Sequence, residues 1–248
     1  MQRVVAVIQA RMTSTRLPGK VLVDIGGSPA LEHMLARVRK ATSIDHVVVA
    51  TTANATDDPV VALCERLGVE TFRGDEHDVL GRFVGVVDRT GARVVVRLTA
   101  DCPMIDPALI DQTFALFDTD SYDYTSNANV RSFPDGLDCE VFSADALRRA
   151  DEEARHPFLR EHVTPFIRGS HPQYGAGGFR VGNLLAPADF GFVRWTLDTP
   201  ADLARIRELI ALLPAGYTWM QALSAAMRAP HLLGITQPAP SSAIQARP

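Results

Sequence analysis

Between Arg11 and Lys20 the chain gathers three cations, Arg11, Arg16 and Lys20, three consecutive hydroxyls, Thr13, Ser14 and Thr15, and a glycine, Gly19. Such a loop can wrap a polyphosphate through charge-assisted hydrogen bonds, with the glycine admitting a close backbone approach. Its spacing is not that of the Gly-x-x-x-x-Gly-Lys-Ser/Thr phosphate loop. By residue types alone it also fits a solvated basic surface. A second group centres on Asp101 within Arg97-Leu98-Thr99-Ala100-Asp101-Cys102-Pro103. A carboxylate there can hold Mg²⁺ through one or two oxygens while phosphates and water fill the remaining positions. Asp106, directly before Pro107, suits a helix N-cap instead. In the third group, Asp198 precedes the Thr199-Pro200 helix start and can point toward a cleft, whereas Asp202 in the first turn suits the helix dipole.

The elements that must position these residues follow from apolar patterning. Val4 to Ile8, Val47 to Ala50 and Val94 to Leu98 are β-branched runs apolar on both faces, as buried parallel strands are. Between them lie amphipathic stretches. Ser28 and Pro29 predict a helix carrying Leu31, Met34, Leu35 and Val38 on one face, and Asp58-Pro59 predicts another with Val60, Leu63, Cys64 and Leu67, stopped by Gly68. Val69 to Phe72 reads as a strand. Asp106-Pro107 and Thr199-Pro200 repeat the cap-plus-proline device. The alternation predicts an α/β fold with a mostly parallel, Rossmann-like sheet. The basic loop follows the first strand and Asp101 the third, so both sit at strand carboxyl ends, where open α/β sheets bind ligands. Thr51 and Thr52 end the second strand, where hydroxyls and backbone could read a pyrimidine edge. Residues 127–191, rich in Gly, Pro, His and aromatics with only Leu137 to Phe142 reading as a strand, form an expected insertion beside the sheet; 237–248 is an expected disordered tail after a single domain at 1–236.

Composition narrows the class. The 248 residues are 46% hydrophobic and 22% charged, with a formal net charge of −4, which argues against broad nucleic-acid binding. Cys64, Cys102 and Cys139 have neither zinc-ligand nor disulfide spacing, which fits reduced thiols in a cytoplasm. There is no membrane-length apolar run and no signal-peptide pattern.

The string Gln9-Ala10-Arg11-Met12-Thr13-Ser14-Thr15-Arg16-Leu17-Pro18-Gly19-Lys20 resembles the N-terminal signature of the CMP-sugar-acid synthetases, the family of 3-deoxy-manno-octulosonate and acylneuraminate cytidylyltransferases, and most of all its spore-coat polysaccharide branch. Asp101 falls on that family's metal-binding aspartate. The string Arg194-Trp195-Thr196-Leu197-Asp198-Thr199-Pro200 resembles its Val-Asp-Thr-Pro ending, which implies Asp198 as the second metal contact. Arg73 to Phe83 resembles its Arg-Gly-x-x-x-Asp-Val-Leu-x-Arg segment around the nucleotide, although Asp78 and Arg82 also have the spacing of a helical surface pair.

The resemblance implies a nucleotide-diphospho-sugar transferase type of fold and transfer of CMP from CTP to an acidic small molecule, with Mg²⁺ as cofactor. It implies Arg11, Lys20 and Asp101 as catalytic, and Gln9, Ala10, Arg11, Ser14, Arg16, Lys20, Thr51, Thr52, Asp78, Arg82 and Thr99 as nucleotide-binding. For the acceptor it points to Asn127, Asp135, Asp138, Glu140, Arg160 and His162. Read as residues, Pro134-Asp135-Gly136 is equally a turn, and His162 equally a core histidine. The family pattern also implies a homodimer through 127–191. A metal-dependent glycosyltransferase using a nucleotide-sugar donor and a non-catalytic nucleotide-binding regulator fit the same fold. The Lys20 loop favours nucleotidyl transfer over the first, and the Asp101 and Asp198 pair argues against the second.

Overall fold

A computed structural model describes residues 3–119, 121–169 and 178–235. The β-branched runs form β1 (Val4–Gln9), β2 (His46–Thr52), β3 (Glu70–Gly74) and β4 (Val94–Thr99), all parallel. With β5 (Tyr124–Ser126), β6 (Glu140–Ser143) and β7 (Val181–Asn183) they make one seven-stranded sheet in the order β3-β2-β1-β4-β6-β5-β7. Only β6 runs antiparallel to its neighbours. The chain steps outward from β1 to β2 and β3, then returns to β4 on the other side of β1. That reversal opens a crevice beyond the carboxyl ends of β1 and β4.

Helices cover both faces. Val4, Ala6 and Ile8 pack toward α1 (Ala30–Val38), α2 (Asp58–Arg66) and α4 (Pro107–Phe117). Val5 and Val7 pack toward α3 (Val79–Thr90), α5 (Ala144–Glu153), α6 (Pro157–His162) and α7 (Pro165–Arg168). This strict alternation is why the strands read as apolar on both sides. A third cluster gathers Ile25, Phe133 and Trp195 with α8 (Pro200–Ala211) and α9 (Trp219–Arg228), burying Trp195 completely. Among the described residues no helix is long and apolar enough to cross a membrane.

Several sequence expectations shift. Pro29, not Ser28, is the N-cap of α1, and no side chain caps it. Asp58 is already inside α2, whose N-cap position belongs to Asp57, a residue whose carboxylate is used elsewhere. Asp106 does cap α4, accepting from Ala108 N and also from Trp219 N. Thr199 and Asp202 form a capping box on α8. The strand expected over Leu137 to Phe142 begins at Glu140. The 127–191 region is not set beside the sheet: β6 hydrogen-bonds directly to β4, and β7 forms the sheet edge beyond β5. Cys64, Cys102 and Cys139 are buried and free. The expected tail lies outside the described residues.

Candidate active site

The basic loop leaves β1 and is folded back on itself by two contacts. Gly19, at φ +69, donates its N–H to Met12 O, and Asp57 accepts from Met12 N at 2.8 Å. The turn delivers Lys20 beside two carboxylates. Its ammonium donates to Asp101 Oδ2 at 3.1 Å and to Asp198 Oδ1 at 3.0 Å. Arg16 pairs with the second oxygen of Asp198, and Arg194 approaches the same oxygen at 3.4 Å. The two acids come from distant segments tied by a backbone bond from Leu197 N to Asp101 O at 2.7 Å. Behind them Gly136, at φ +109, lies against the Trp195 backbone so closely that a Cβ would stand 2.6 Å from its carbonyl carbon. Asp135 O accepts from Trp195 N at 2.6 Å on the same seam.

These groups line an open cleft of about 400 Å³ whose walls include Gln9, Ala10, Arg11, Ser14, Arg16, Lys20, Val79, Arg82, Thr99, Asp101, Glu161, His162 and Asp198. Arg11 spans the mouth between Glu76 at 3.9 Å and Glu161 at 4.0 Å. Arg82 is almost completely buried, and burial lowers its pKa; its Nε has no hydrogen-bond partner among the described residues. It lies on the inner face of α3 with Phe83 and Val86, so no surface pair with Asp78 forms. The Cys102 thiol is pushed well up by burial and by Asp101, which makes it a packing group rather than a nucleophile.

Other expected residues lie elsewhere. Thr51 and Thr52 are buried with both hydroxyls donating to Asp57 Oδ2, at 2.9 and 2.6 Å, and do not reach the cleft. Burial opposes the Asp57 charge, but bonds from Thr52, Met12 and Thr51 outweigh it and hold the carboxyl below its ordinary value. Asp78 caps α3 and pairs with Arg160, which also holds Asp151. Asn127 braces the backbone at Leu137 and Cys139. Asp135 pairs with Arg194, and Asp138 with Arg131. Glu140 is buried against Arg97, Tyr124 and Thr164. Of the acceptor set only His162 lines the cleft, at its exposed rim rather than in the core. Partial burial and the nearby Arg97 and Arg168 hold its imidazole below the usual value, although Glu161 pulls the other way. It is placed by Val163, which takes φ +68 so that Thr164 N can reach His162 O.

Among the described residues no three His, Cys, Asp or Glu converge as a metal cage. The Asp101 and Asp198 pair nonetheless fits Mg²⁺, which binds through one or two carboxylates and leaves its other positions to water and phosphate. Sequence reasoning missed Asp57, Arg97, Arg194 and Glu161. A polar residue inside the apolar run of β4 was the available signal for Arg97.

Residues 5–211 match the family model described as Cytidylyltransferase. The chain is 40% identical over 217 residues to the spore coat polysaccharide biosynthesis protein SpsF of Bacillus subtilis, covering 84% of this chain and 87% of that protein. It is 30% identical over 207 residues to a 3-deoxy-manno-octulosonate cytidylyltransferase of Geobacter sulfurreducens, covering 82% and 80% respectively. Among solved structures, a cytidylyltransferase from Leptospira borgpetersenii superimposes with a TM-score of 0.88 at 28% identity, covering 97% of this chain and 100% of that one.

Proposed function

The chain belongs to the cytidylyltransferase family and is a nucleotidyltransferase, and from its cleft we propose that it transfers CMP from CTP to an acidic small molecule, a sugar acid or a similar acid, with release of pyrophosphate in a Mg²⁺-dependent reaction. The observation that carries this reading is the Lys20 ammonium seated between Asp101 and Asp198 at the carboxyl ends of β1 and β4. Asp101 and Asp198 are the residues that would hold Mg²⁺, which when bound would neutralise phosphate charge and help align the attacking oxygen.

The protein's own part is alignment and electrostatics. An acceptor oxygen attacks the α-phosphorus, the bond to the β-phosphate bridging oxygen breaks, and pyrophosphate leaves with the electron pair. Lys20 and Arg16, held at the cleft by Asp101 and Asp198, would meet the departing charge, and Arg11 extends the cationic wall to the mouth. The acidic acceptor is supported by this cationic rim and by the relative named for 3-deoxy-manno-octulosonate. His162 is the acceptor-side residue best placed to meet it. A homodimer through 127–191 is supported by Val130 and Leu185, large apolar side chains left exposed there. Sedimentation should then report twice 27.0 kDa; a monomer at micromolar concentration contradicts it.

Incubation with CTP, Mg²⁺ and a panel of ulosonic acids, hexuronic acids and phosphonates tests the reaction. Pyrophosphate formed in step with a CMP conjugate is the expected result. Release of free CMP or UDP from a nucleotide-sugar instead would identify a glycosyltransferase.

A further inference from the structure

We propose that Gln9 selects the pyrimidine base of the nucleotide and that Arg97 is the positioning residue that fixes which way the Gln9 carboxamide faces; the inference rests on the CTP reading above. Gln9 Oε1 accepts from Arg97 Nε at 3.1 Å and from Arg97 Nη2 at 2.9 Å. A guanidinium has donors and no acceptor, so only the carbonyl end of the amide can face it. The Gln9 NH₂ group is therefore turned away from Arg97. It has no hydrogen-bond partner among the described residues, and Gln9 lines the cleft.

Arg97 is itself fixed. Its remaining Nη1 pairs with Glu140, the residue directly across the β4–β6 register. The other Glu140 oxygen accepts from Tyr124 Oη at 2.6 Å and Thr164 Oγ1 at 2.7 Å. Burial works against the Glu140 charge, but Arg97 and these hydroxyls outweigh it and keep the carboxyl below its ordinary value. The polar band Gln9, Arg97, Glu140 runs on the sheet face that α3 covers, and Val79 and Arg82 of α3 also line the cleft. The threonines that end β2 are not available for the base, because Asp57 engages both.

A fixed NH₂ donor discriminates between pyrimidines. Cytosine offers lone pairs at both O2 and N3, whereas uracil carries a proton at N3. A free carboxamide could rotate by half a turn and present its oxygen to uracil; the two N–H groups of Arg97 on Oε1 oppose that rotation. A buried polar site that loses its matched partner rejects the wrong ligand strongly.

The test is titration calorimetry of the full chain with CTP and with UTP, each in Mg²⁺. The wild type should prefer CTP by on the order of 10²-fold. In Gln9→Glu the carboxylate still meets Arg97 but offers only lone pairs to the base, so CTP binding should weaken at least about tenfold while UTP binding does not. Arg97→Lys keeps a cation beside Glu140 and loses the two-point grip on Gln9, so the CTP/UTP ratio should fall with UTP affinity retained. A merely structural role for Arg97 would weaken both nucleotides together and would overturn its positioning role. Wild-type preference for CTP that persists unchanged in both variants overturns base selection and leaves cytidylyl transfer standing. A wild type that binds no CTP overturns both.

Discussion

The Lys20 ammonium compensates two carboxylates that converge on one point of the cleft, and its neighbour Arg16 takes the remaining oxygen of Asp198. Lys20→Ala should weaken CTP binding by about tenfold or more in calorimetry, the loss of a charge-assisted phosphate contact; unchanged binding would remove the loop from the nucleotide site. A separate residue contributes to acid sensitivity. His33 is lowered from 6.5 to about 4 by burial and by Arg37 and Lys40, with its Nε2 against the Tyr217 hydroxyl. The unfolded chain binds that proton more readily, so stability should fall as pH drops from 6.5 to about 4 and change little from this source below it. A melting series of His33→Gln should flatten across that window; a slope equal to wild type contradicts the assignment. The meeting of the loop cations with Asp101 and Asp198 was legible because each group sits in sequence at the end of a strand or at a helix start, where an α/β sheet gathers its cleft. Thr51, Thr52 and Asp78 were misplaced because hydroxyls and carboxylates serve turns and caps as readily as ligands, and only packing reveals that Asp57 and Arg160 engage them.

At the scale of elements, the parallel strands were readable from apolar runs, and the helix starts at Asp106-Pro107 and Thr199-Pro200 from cap chemistry. The short strands β5 and β7, three residues each, carry too little pattern to be seen. Two junctions hold the site. Asp57 joins the end of β2 to the Arg11–Lys20 loop, and Asp57→Ala removes the acceptor of two buried hydroxyls and two backbone amides, at a cost of about 3 kcal/mol in denaturant unfolding. Gly136 packs on the Trp195 backbone at a positive φ, three residues before Asp198 is reached along that strand-like segment. Gly136→Ala should cost about 3 kcal/mol and displace Asp198, lowering turnover more than CTP binding. A variant with wild-type stability would show that this seam has slack.

Across the whole molecule, the sheet reversal at β1 and β4 brings together a loop, a strand end and a late segment that lie far apart in sequence, which is why the family signature is dispersed over the chain. The region 127–191 was harder to read because its strand β6 is short and runs against its neighbours. The polar residues expected there to meet an acceptor are engaged by other groups, Asp138 by Arg131, Asp135 by Arg194 and Glu140 by Arg97, and of that set His162 alone lines the cleft. The proposed reaction rests on Asp101, Asp198 and Lys20, which meet in the cleft. The most direct measurement is pyrophosphate release from CTP and Mg²⁺ across the acid panel, comparing wild type with Asp101→Asn after circular dichroism has shown both folded. Wild type should release pyrophosphate with at least one acid, and Asp101→Asn should release none. Undiminished turnover by the folded Asp101→Asn variant would contradict the account.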